Sequence, residues 1–211
     1  MPMSPRGYDS VKRRAAAART RERILEAARA LVGGKGDLGD FSIDAVARRA
    51  GVARMTVYYQ FRSRAGLLEA LADHLAGRGG MERMGQAFAA PTRDEGIRRL
   101  VEVFVGFWAT DRITMRRLRA MGVVLPSTAS GPRDRDEWRR SAVARLLSRH
   151  ARRGGAGRGE ASSELVDTIC ALTSFEMYDL LRTGTRRTEE VADIVADLAI
   201  AAARRAAHDA G

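Results

Sequence analysis

The chain has 211 residues, enough for two small domains, and its 37 Lys plus Arg against 26 Asp plus Glu give a formal net charge of +11. The single cysteine, Cys170, excludes an internal disulfide framework and fits a reducing compartment. No apolar run approaches the roughly 18 residues of a membrane span, and Met1–Thr20 lacks the apolar stretch of a signal peptide, so we expect a cytoplasmic protein without a membrane partner.

The positive charge is concentrated in the first part of the chain. Residues 1–80 hold fifteen basic and eight acidic residues, a net charge of +7, whereas the other 131 residues have a net charge of only +4. This asymmetry predicts a phosphate-binding N-terminal domain. A membrane surface is the competing acceptor, but the basic residues are not gathered on the polar side of one amphipathic helix.

The first predicted helix runs from Ser10 to Val32, after a start, residues 1–9, that we expect to be mobile because it holds two Pro and a Gly. Its apolar residues are spaced for one buried face: Ile24, Leu25, Ala28, Leu31 and Val32. Arg13 and Arg14 could reach phosphates or a minor groove, or could belong to a solvated tail.

Three short helical pieces follow between Phe41 and Leu71. Ser42 is a good N-cap for the first piece, and Gly51 suits the tight turn that ends it. The third piece begins at about Arg64 and carries an apolar stripe. This pattern predicts a helix-turn-helix followed by a support helix.

The middle piece, Ala53–Phe61, has the dimensions and polarity of a helix that enters a DNA major groove. At about 100° per residue, Val57, Phe61 and Ala53 share one side, whereas Met55 and Tyr59 lie nearly opposite. Arg54 could bind a guanine edge.

Its other exposed positions also have a use on DNA. Met55 could contact a thymine methyl, and the hydroxyls of Thr56, Tyr58 and Tyr59 could bind phosphates. Alternatively, the two tyrosines pack against the support helix, and Arg64 is a solvated surface residue rather than a phosphate contact.

Over its first third the chain resembles the TetR (tetracycline-repressor) family of transcription regulators. The resemblance rests on TRERILEAARALV at Thr20–Val32 and on SIDAVARRAGVARMTVYYQFRSRAGLL from Ser42 onward. It implies an all-α homodimer that binds double-stranded DNA through its first domain and a small-molecule effector through its second. The DNA-contact roles that it implies fall on Ser42, Arg54, Met55, Thr56, Tyr58, Tyr59 and Arg64. Two departures are the loop Gly33–Phe41, about one residue longer than usual, and Met55, where a small residue or Pro is common.

A break is predicted where the support helix meets Gly77, Gly79 and Gly80, because glycine costs a helix interior roughly 1 kcal/mol per residue. We therefore expect a DNA-binding domain at residues 1–78 and an effector-binding and dimerisation domain at residues 79–211. A mechanical role for these glycines in transmitting the effector signal is a hypothesis.

The second domain is predicted to be helical throughout. Its expected helices are Met81–Ala89, one from Thr92 through Trp108, Ile113–Met121, Asp134–Arg153 with Trp138 facing inward, Ser162–Arg182 and Thr188–Ala207. Pro126 should stop one of them, and Gly154–Gly159 should form a flexible connector.

The last two helices are predicted to pair with their copies in a second subunit as a four-helix bundle, although they could instead finish the core of one subunit. The predicted dimer residues are Leu165, Ile169, Leu172, Val191, Ile194, Val195 and Leu198. An apolar effector pocket is implied by the resemblance and permitted by Phe104, Phe107, Trp108, Met115, Met121, Trp138, Phe175 and Tyr178, each of which could equally be ordinary core.

Enzymatic chemistry is not indicated. His74, His150 and His208 do not lie at metal-ligand spacing from one another or from Cys170, and the glycine clusters lack the features of a nucleotide-binding loop. We expect no metal, no cofactor and no catalytic residues, and we expect Cys170 to be a buried small hydrophobe.

These patterns predict a homodimeric repressor that binds a palindromic operator and is released by a small hydrophobic effector. The alternative is a sequence-indifferent, nucleoid-type DNA-binding protein.

Overall fold

A computed structural model describes residues 5–124, 130–153 and 162–209. These residues form eleven α-helices and no strand, which confirms the predicted all-α fold. In chain order the helices are α1 Pro5–Val32, α2 Ile43–Ala50, α3 Arg54–Phe61, α4 Arg64–Arg78, α5 Met84–Ala89, α6 Arg93–Thr110, α7 Arg112–Val124, α8 Ser130–Arg153, α9 Ser163–Leu172, α10 Phe175–Leu181 and α11 Thr188–Asp209. Within the described ranges, none of the helices is both long and apolar enough to cross a bilayer.

The chain divides into two compact units. Unit 1 comprises Met1–His74 and Arg117–Ala129, and unit 2 comprises Leu75–Arg116 and Ser130–Gly211. The predicted functional boundary between residues 78 and 79 stays a prediction, because compactness alone does not say which segment binds DNA. Pro126 and the connector Gly154–Gly159 lie outside the described residues.

The core of unit 1 is built from the apolar faces that the sequence predicts. Its fully buried side chains include Ile24, Val46, Val57, Leu67 and Leu71, which come from all four of its first helices. The predicted start of the first helix at Ser10 is wrong, since α1 begins at Pro5. Proline suits this first helical position because the N–H that it lacks has no partner inside the helix.

The glycines after α4 do not act alike. Gly77 lies inside α4, and a Cβ there would meet nothing within 4 Å. Helix α4 continues through Gly77 to Arg78, so the predicted break begins only at Gly79. A Cβ on Gly79 would lie 2.6 Å from the Cα of Phe107, and Gly80 has a φ of +79°. The chain therefore needs glycine at positions 79 and 80, but not at 77.

Unit 2 is organised around α6, which begins at Thr92, whose hydroxyl accepts a hydrogen bond from the N–H of Glu95. Helix α11 packs along α6 and buries Val191, Val195 and Ala199. On the rim of this contact, Arg98 binds Asp197 at 2.9 Å. Helix α11 therefore covers part of the apolar surface of α6.

The predicted continuous helix Ser162–Arg182 is wrong, because it is divided into α9 and α10 at Thr173 and Ser174. The hydroxyl of Ser174 accepts a hydrogen bond from the N–H of Met177 and so begins a new helix. The carbonyl of Thr173 accepts the indole N–H of Trp108 at 3.0 Å. Local capping and this tertiary hydrogen bond together outweigh the continuous helical periodicity.

The inward orientation predicted for Trp138 is also wrong. Its side chain is 49% exposed, and one edge of the ring contacts Phe104 with the centroids 6.3 Å apart. The next residue of α8, Arg139, is buried instead, and its guanidinium donates a hydrogen bond to the carbonyl of Cys170. The hydrogen-bonded arginine takes the inward position that the aromatic ring was expected to occupy.

Candidate nucleic-acid interface

Helix α2 is fixed at both ends by its own sequence. Ser42 is extended, and its hydroxyl accepts the N–H of Ala45 at 3.1 Å. Gly51 adopts φ +64° and ψ +42°, which lets its N–H bond the carbonyls of Ala47 and Arg48. The predicted cap and turn are both confirmed, and the turn directs the chain into α3.

Helix α3 is held by one face only. Val57 has no exposed surface and Phe61 is 5% exposed, whereas Met55 is 72% and Tyr59 is 87% exposed. The prediction that Ala53 shares the buried side is wrong, because Ala53 precedes the helix and is exposed; it also supplies no side-chain cap. The predicted orientation of α3 is therefore confirmed, and its outer face is open to a partner.

The end of α3 is a sharp corner at Arg62. Arg62 has φ +66° and ψ −41°, and the N–H of Ser63 bonds the carbonyl of Phe61 at 2.7 Å. This is a γ-turn with positive φ, the rarer and more strained of the two γ-turn forms. The hydroxyl of Ser63 then accepts the N–H of Gly66 and begins α4.

Glycine at position 66 is required by this corner. A Cβ on Gly66 would overlap the carbonyl oxygen of Phe61. The end of α3 is also contacted by Arg21 of α1. Its guanidinium lies 4.5 Å from the ring centroid of Phe61 and donates a hydrogen bond to the carbonyl of Gln60. A cation at a helix C-terminus is favourable, so α1 and α4 together set the direction of α3.

Arg54 is held on the outer surface by two neighbours. Its guanidinium is 3.2 Å from a carboxylate oxygen of Asp44 on α2 and 3.3 Å from the hydroxyl of Tyr58. The hydrogen bond to Tyr58, followed by the charge of Asp44, raises the pKa of Arg54 above its ordinary value. Arg54 therefore stays charged, and any acceptor on DNA must compete with Asp44 for it.

Arg64 is less accessible than the sequence suggests. Its guanidinium lies over the ring of Phe41, 5.5 Å from the centroid. Its Nε and one Nη atom are buried without a hydrogen-bond partner. A phosphate contact by Arg64 therefore requires the guanidinium to swing away from Phe41, whereas Arg62 is exposed as it stands.

Residues 24–71 match the family model of bacterial regulatory proteins of the tetR family. The matched segment contains the capped α2, the glycine turn and the exposed α3 just described. Residues 24–71 carry the TetR-family sequence pattern. This confirms the resemblance found in the sequence.

The fold of the whole chain is similar to that of solved regulators. A protein from Rhodococcus sp. assigned to the TetR-family transcriptional regulators has a TM-score of 0.69 and 20% identity, over 87% of this chain and 98% of that one. A protein from Saccharomonospora viridis, described as a transcriptional regulator and solved in complex with choline, has a TM-score of 0.63 and 19% identity, over 85% of this chain and 95% of that one. The TetR-like regulator LfrR from Mycobacterium smegmatis, in complex with proflavine, has a TM-score of 0.52 and 22% identity, over 89% and 97%. The comparison with curated proteins found no match.

Unit 1 contains all seven predicted DNA-contact residues. Arg54, Met55 and Tyr59 are exposed on α3, Thr56 and Tyr58 are partly buried on its flanks, and Ser42 is partly buried at the start of α2. Sequence reasoning missed Asp44, Arg21 and Gly66. Of these three residues, only Gly66 could have been noticed from the sequence, because a glycine is unusual near the start of a predicted helix.

The residues proposed for the effector pocket do not form one set. Phe107, Trp108, Phe175 and Tyr178 are buried in a chain of ring contacts whose centroids lie 4.5 to 6.4 Å apart. Phe104 and Met115 are also buried in unit 2, while Met121 is buried in unit 1. Trp138 is half exposed, so it cannot be a wholly enclosed pocket wall.

The predicted dimer residues also divide into two sets. Ile169, Val191 and Val195 are at most 1% exposed within the single chain, so they finish its own core and offer nothing to a second subunit. Leu198 is 49% exposed, and Leu165, Leu172 and Ile194 are partly exposed. Only this second set remains available for the predicted interface.

Cys170 is half-buried rather than fully buried as expected. Burial raises the pKa of its thiol, and the opposing charges of Arg139 and Arg140 do not cancel that effect. The thiol is therefore protonated at neutral pH and poorly nucleophilic, which agrees with a packing role.

Proposed function

We propose that the protein is a ligand-responsive transcriptional repressor that binds a palindromic DNA operator as a homodimer. The observation that carries this proposal is the opposite exposure of the two faces of α3, with Val57 fully buried and Met55 and Tyr59 largely exposed. Met55 and Tyr59 are four residues apart and so lie side by side on one face of the helix, where they form a joint exposed surface rather than two scattered side chains. The major groove gives both a partner, since it accepts a helix and presents thymine methyl groups.

Each exposed residue has a distinct role in this proposal. Arg54 and Met55 read base edges, while Tyr58, Tyr59, Thr56 and Ser42 bind phosphates and fix the register of the domain. Arg62 adds positive charge at the end of α3. The net charge of +7 over residues 1–80 supplies the general attraction to DNA.

A dimer sets the spacing of the operator. We propose that α9 and α11 contribute Leu165, Leu172, Ile194 and Leu198 to the subunit interface. Two copies of α3 would then lie about 34 to 36 Å apart and read half-sites one helical turn apart. A two-fold axis in the protein predicts a palindrome in the DNA.

The effector would act through unit 2. The ring cluster of Trp108, Phe175 and Tyr178 supports an uncharged or weakly charged hydrophobic ligand. Structures of similar fold in complex with choline and with proflavine support a small-molecule site in such a domain. A ligand can lower operator affinity only by binding the DNA-incompetent state more tightly than the competent one.

The proposal is tested by recovering the DNA bound to the protein across its genome and measuring affinity for the recovered sites. We expect a shared palindrome and tighter binding to it than to random DNA of equal length. Ala at Arg54 or Met55 should alter base preference. Ala at Tyr58 should weaken binding to every sequence. Equal, salt-dependent affinity for palindromic and random DNA would instead support the nucleoid-type alternative.

A further inference from the structure

Three side chains of α1 and α4 converge within unit 1. Glu22 and Glu26 are four residues apart on α1 and therefore share a face, and His74 lies near the end of α4. Nε2 of His74 is 3.2 Å from Glu26, and Nδ1 is 3.6 Å from Glu22. One ligand atom from each of the three residues lies within 4.8 Å of the others.

The two carboxylates face opposite nitrogens of the His74 ring, and a neutral ring has only one N–H to donate to them. A neutral imidazole has one N–H donor and one acceptor nitrogen, and an ionised carboxylate only accepts. With a carboxylate facing each nitrogen, one of the two contacts then joins two acceptors. A metal cation bound by Nε2 and Glu26 replaces an acceptor–acceptor contact on that side of the ring by coordination.

The geometry suits a cation. Two ligands of a tetrahedral Zn²⁺ at about 2.0 to 2.1 Å from the ion are about 3.3 to 3.4 Å apart. The separation of 3.2 Å between His74 and Glu26 is close to this value. Glu22 faces the other ring nitrogen, Nδ1, but it is 58% exposed and can change rotamer to reach an ion bound at Nε2. This exposure also leaves a path by which an ion can enter.

We propose that Glu22, Glu26 and His74 bind one divalent transition-metal ion of the Zn²⁺ type, with water completing its coordination. One imidazole nitrogen and one oxygen from each carboxylate are the protein ligands, a donor set that Zn²⁺ accepts and Mg²⁺ does not favour. Arg29 binds the other oxygen of Glu26 at 2.9 Å, which orients that carboxylate. Sequence reasoning missed the site because it searched His and Cys spacings, and His74 is 48 residues from Glu26.

The ion would cross-link α1 to α4. These two helices set the direction of α3 through Arg21 and Gly66, which both contact its C-terminal end. The site itself contains no residue proposed to contact DNA. Metal binding should therefore stabilise the folded protein whether or not the DNA-binding proposal holds.

The test is titration of the tag-free, metal-free full chain with Zn²⁺ at neutral pH, followed by calorimetry. We expect one ion per chain and a melting temperature that rises by about 5 °C or more at a hundredfold excess over Kd. Glu22→Gln and His74→Gln should weaken binding about tenfold or more. Glu22→Gln is the decisive variant if His74→Gln fails to fold, because Glu22 is largely exposed.

The controls are Glu69→Gln, which removes an exposed carboxylate of α4 outside the cluster, and His208→Gln, which removes an exposed imidazole. Both should bind Zn²⁺ like the unmodified chain. Equal binding by Glu22→Gln and the unmodified chain, loss of binding in His208→Gln, or Mg²⁺ binding as tight as Zn²⁺ would each overturn the proposal.

Discussion

Helices α2 and α3 have eight residues each and adjoin in the same motif, yet their ends are built differently. Helix α2 begins at a serine cap and ends at a left-handed glycine. Helix α3 begins at Ala53 with no side-chain cap and ends in a strained turn at Arg62. The two helices also differ in the apolar side chains that they expose: Met55 and Tyr59 are exposed on α3, whereas the large apolar residues of α2, Ile43 and Val46, are buried.

The difference shows where the information for each helix resides. Helix α2 is specified locally, by residues that terminate it and by one buried face. Helix α3 is positioned by residues outside itself, namely Arg21 of α1 and Gly66 of α4. The exposed positions of α3 are therefore not needed to hold the helix in place, and their side chains can be suited to a binding partner.

The largest effect is expected at Gly66. Gly66→Ala forces a methyl group against the carbonyl oxygen of Phe61 and should destabilise the protein by about 3 kcal/mol. Gly77→Ala is the matched control in the same helix, where nothing lies within 4 Å, and it should stabilise the helix by up to about 1 kcal/mol. Chemical denaturation measures both, and equal effects would show that the corner does not require glycine at position 66.

The two faces of α3 should separate stability from binding. Val57→Ala removes a fully buried side chain and should cost about 2 kcal/mol of unfolding free energy. Tyr59→Ala, on the opposite face, should change stability by less than about 0.5 kcal/mol but weaken DNA binding. A large stability loss for Tyr59→Ala, measured by the same denaturation curve, would contradict the proposed division.

The end caps give an intermediate effect. Ser42→Ala removes the hydroxyl that accepts the N–H of Ala45 and should cost about 1 kcal/mol. Ala53→Ser should have the opposite sign, because Ala53 already has the extended backbone of an N-cap and lacks only the oxygen. We expect a gain of about 0.5 to 1 kcal/mol in thermal or chemical denaturation. No gain would mean that the start of α3 is already satisfied by other means.

The smallest effect concerns Asp44. Because this carboxylate holds Arg54 in the free protein, Asp44→Asn should raise affinity for random DNA, by up to about fivefold at low salt. Asp40→Asn changes the charge equally at another exposed position in unit 1 and should do less. Fluorescence anisotropy with random duplexes measures the difference, which vanishes if Asp44 acts only through net charge.

The sequence predicted unit 1 well because its signals are local. A serine, a glycine and a short apolar period are enough to define α2, and the opposite positions of Val57 and Met55 follow from helical geometry alone. The corner at Arg62 and the ion pair of Asp44 could not be predicted. Both depend on how helices distant in sequence meet, which periodicity does not encode.

Unit 2 was harder to predict for a related reason. The periodicity of residues 162–182 is continuous, but the break at Thr173 is made by a hydrogen bond from Trp108, 65 residues away in sequence. Trp138 was expected inside because it is apolar, yet Arg139 occupies the buried position by reaching the carbonyl of Cys170. In both places a tertiary hydrogen bond decided between two acceptable local arrangements.

The placement of Trp108 and Trp138 has a practical consequence. They are the two tryptophans of the chain, and both belong to unit 2, one ring buried and the other half in water. Intrinsic fluorescence excited at the indole band therefore reports on unit 2, whereas far-ultraviolet circular dichroism sums the helices of both units. A melting transition seen by circular dichroism but not by fluorescence would therefore belong to unit 1, and it could be followed without attaching any dye.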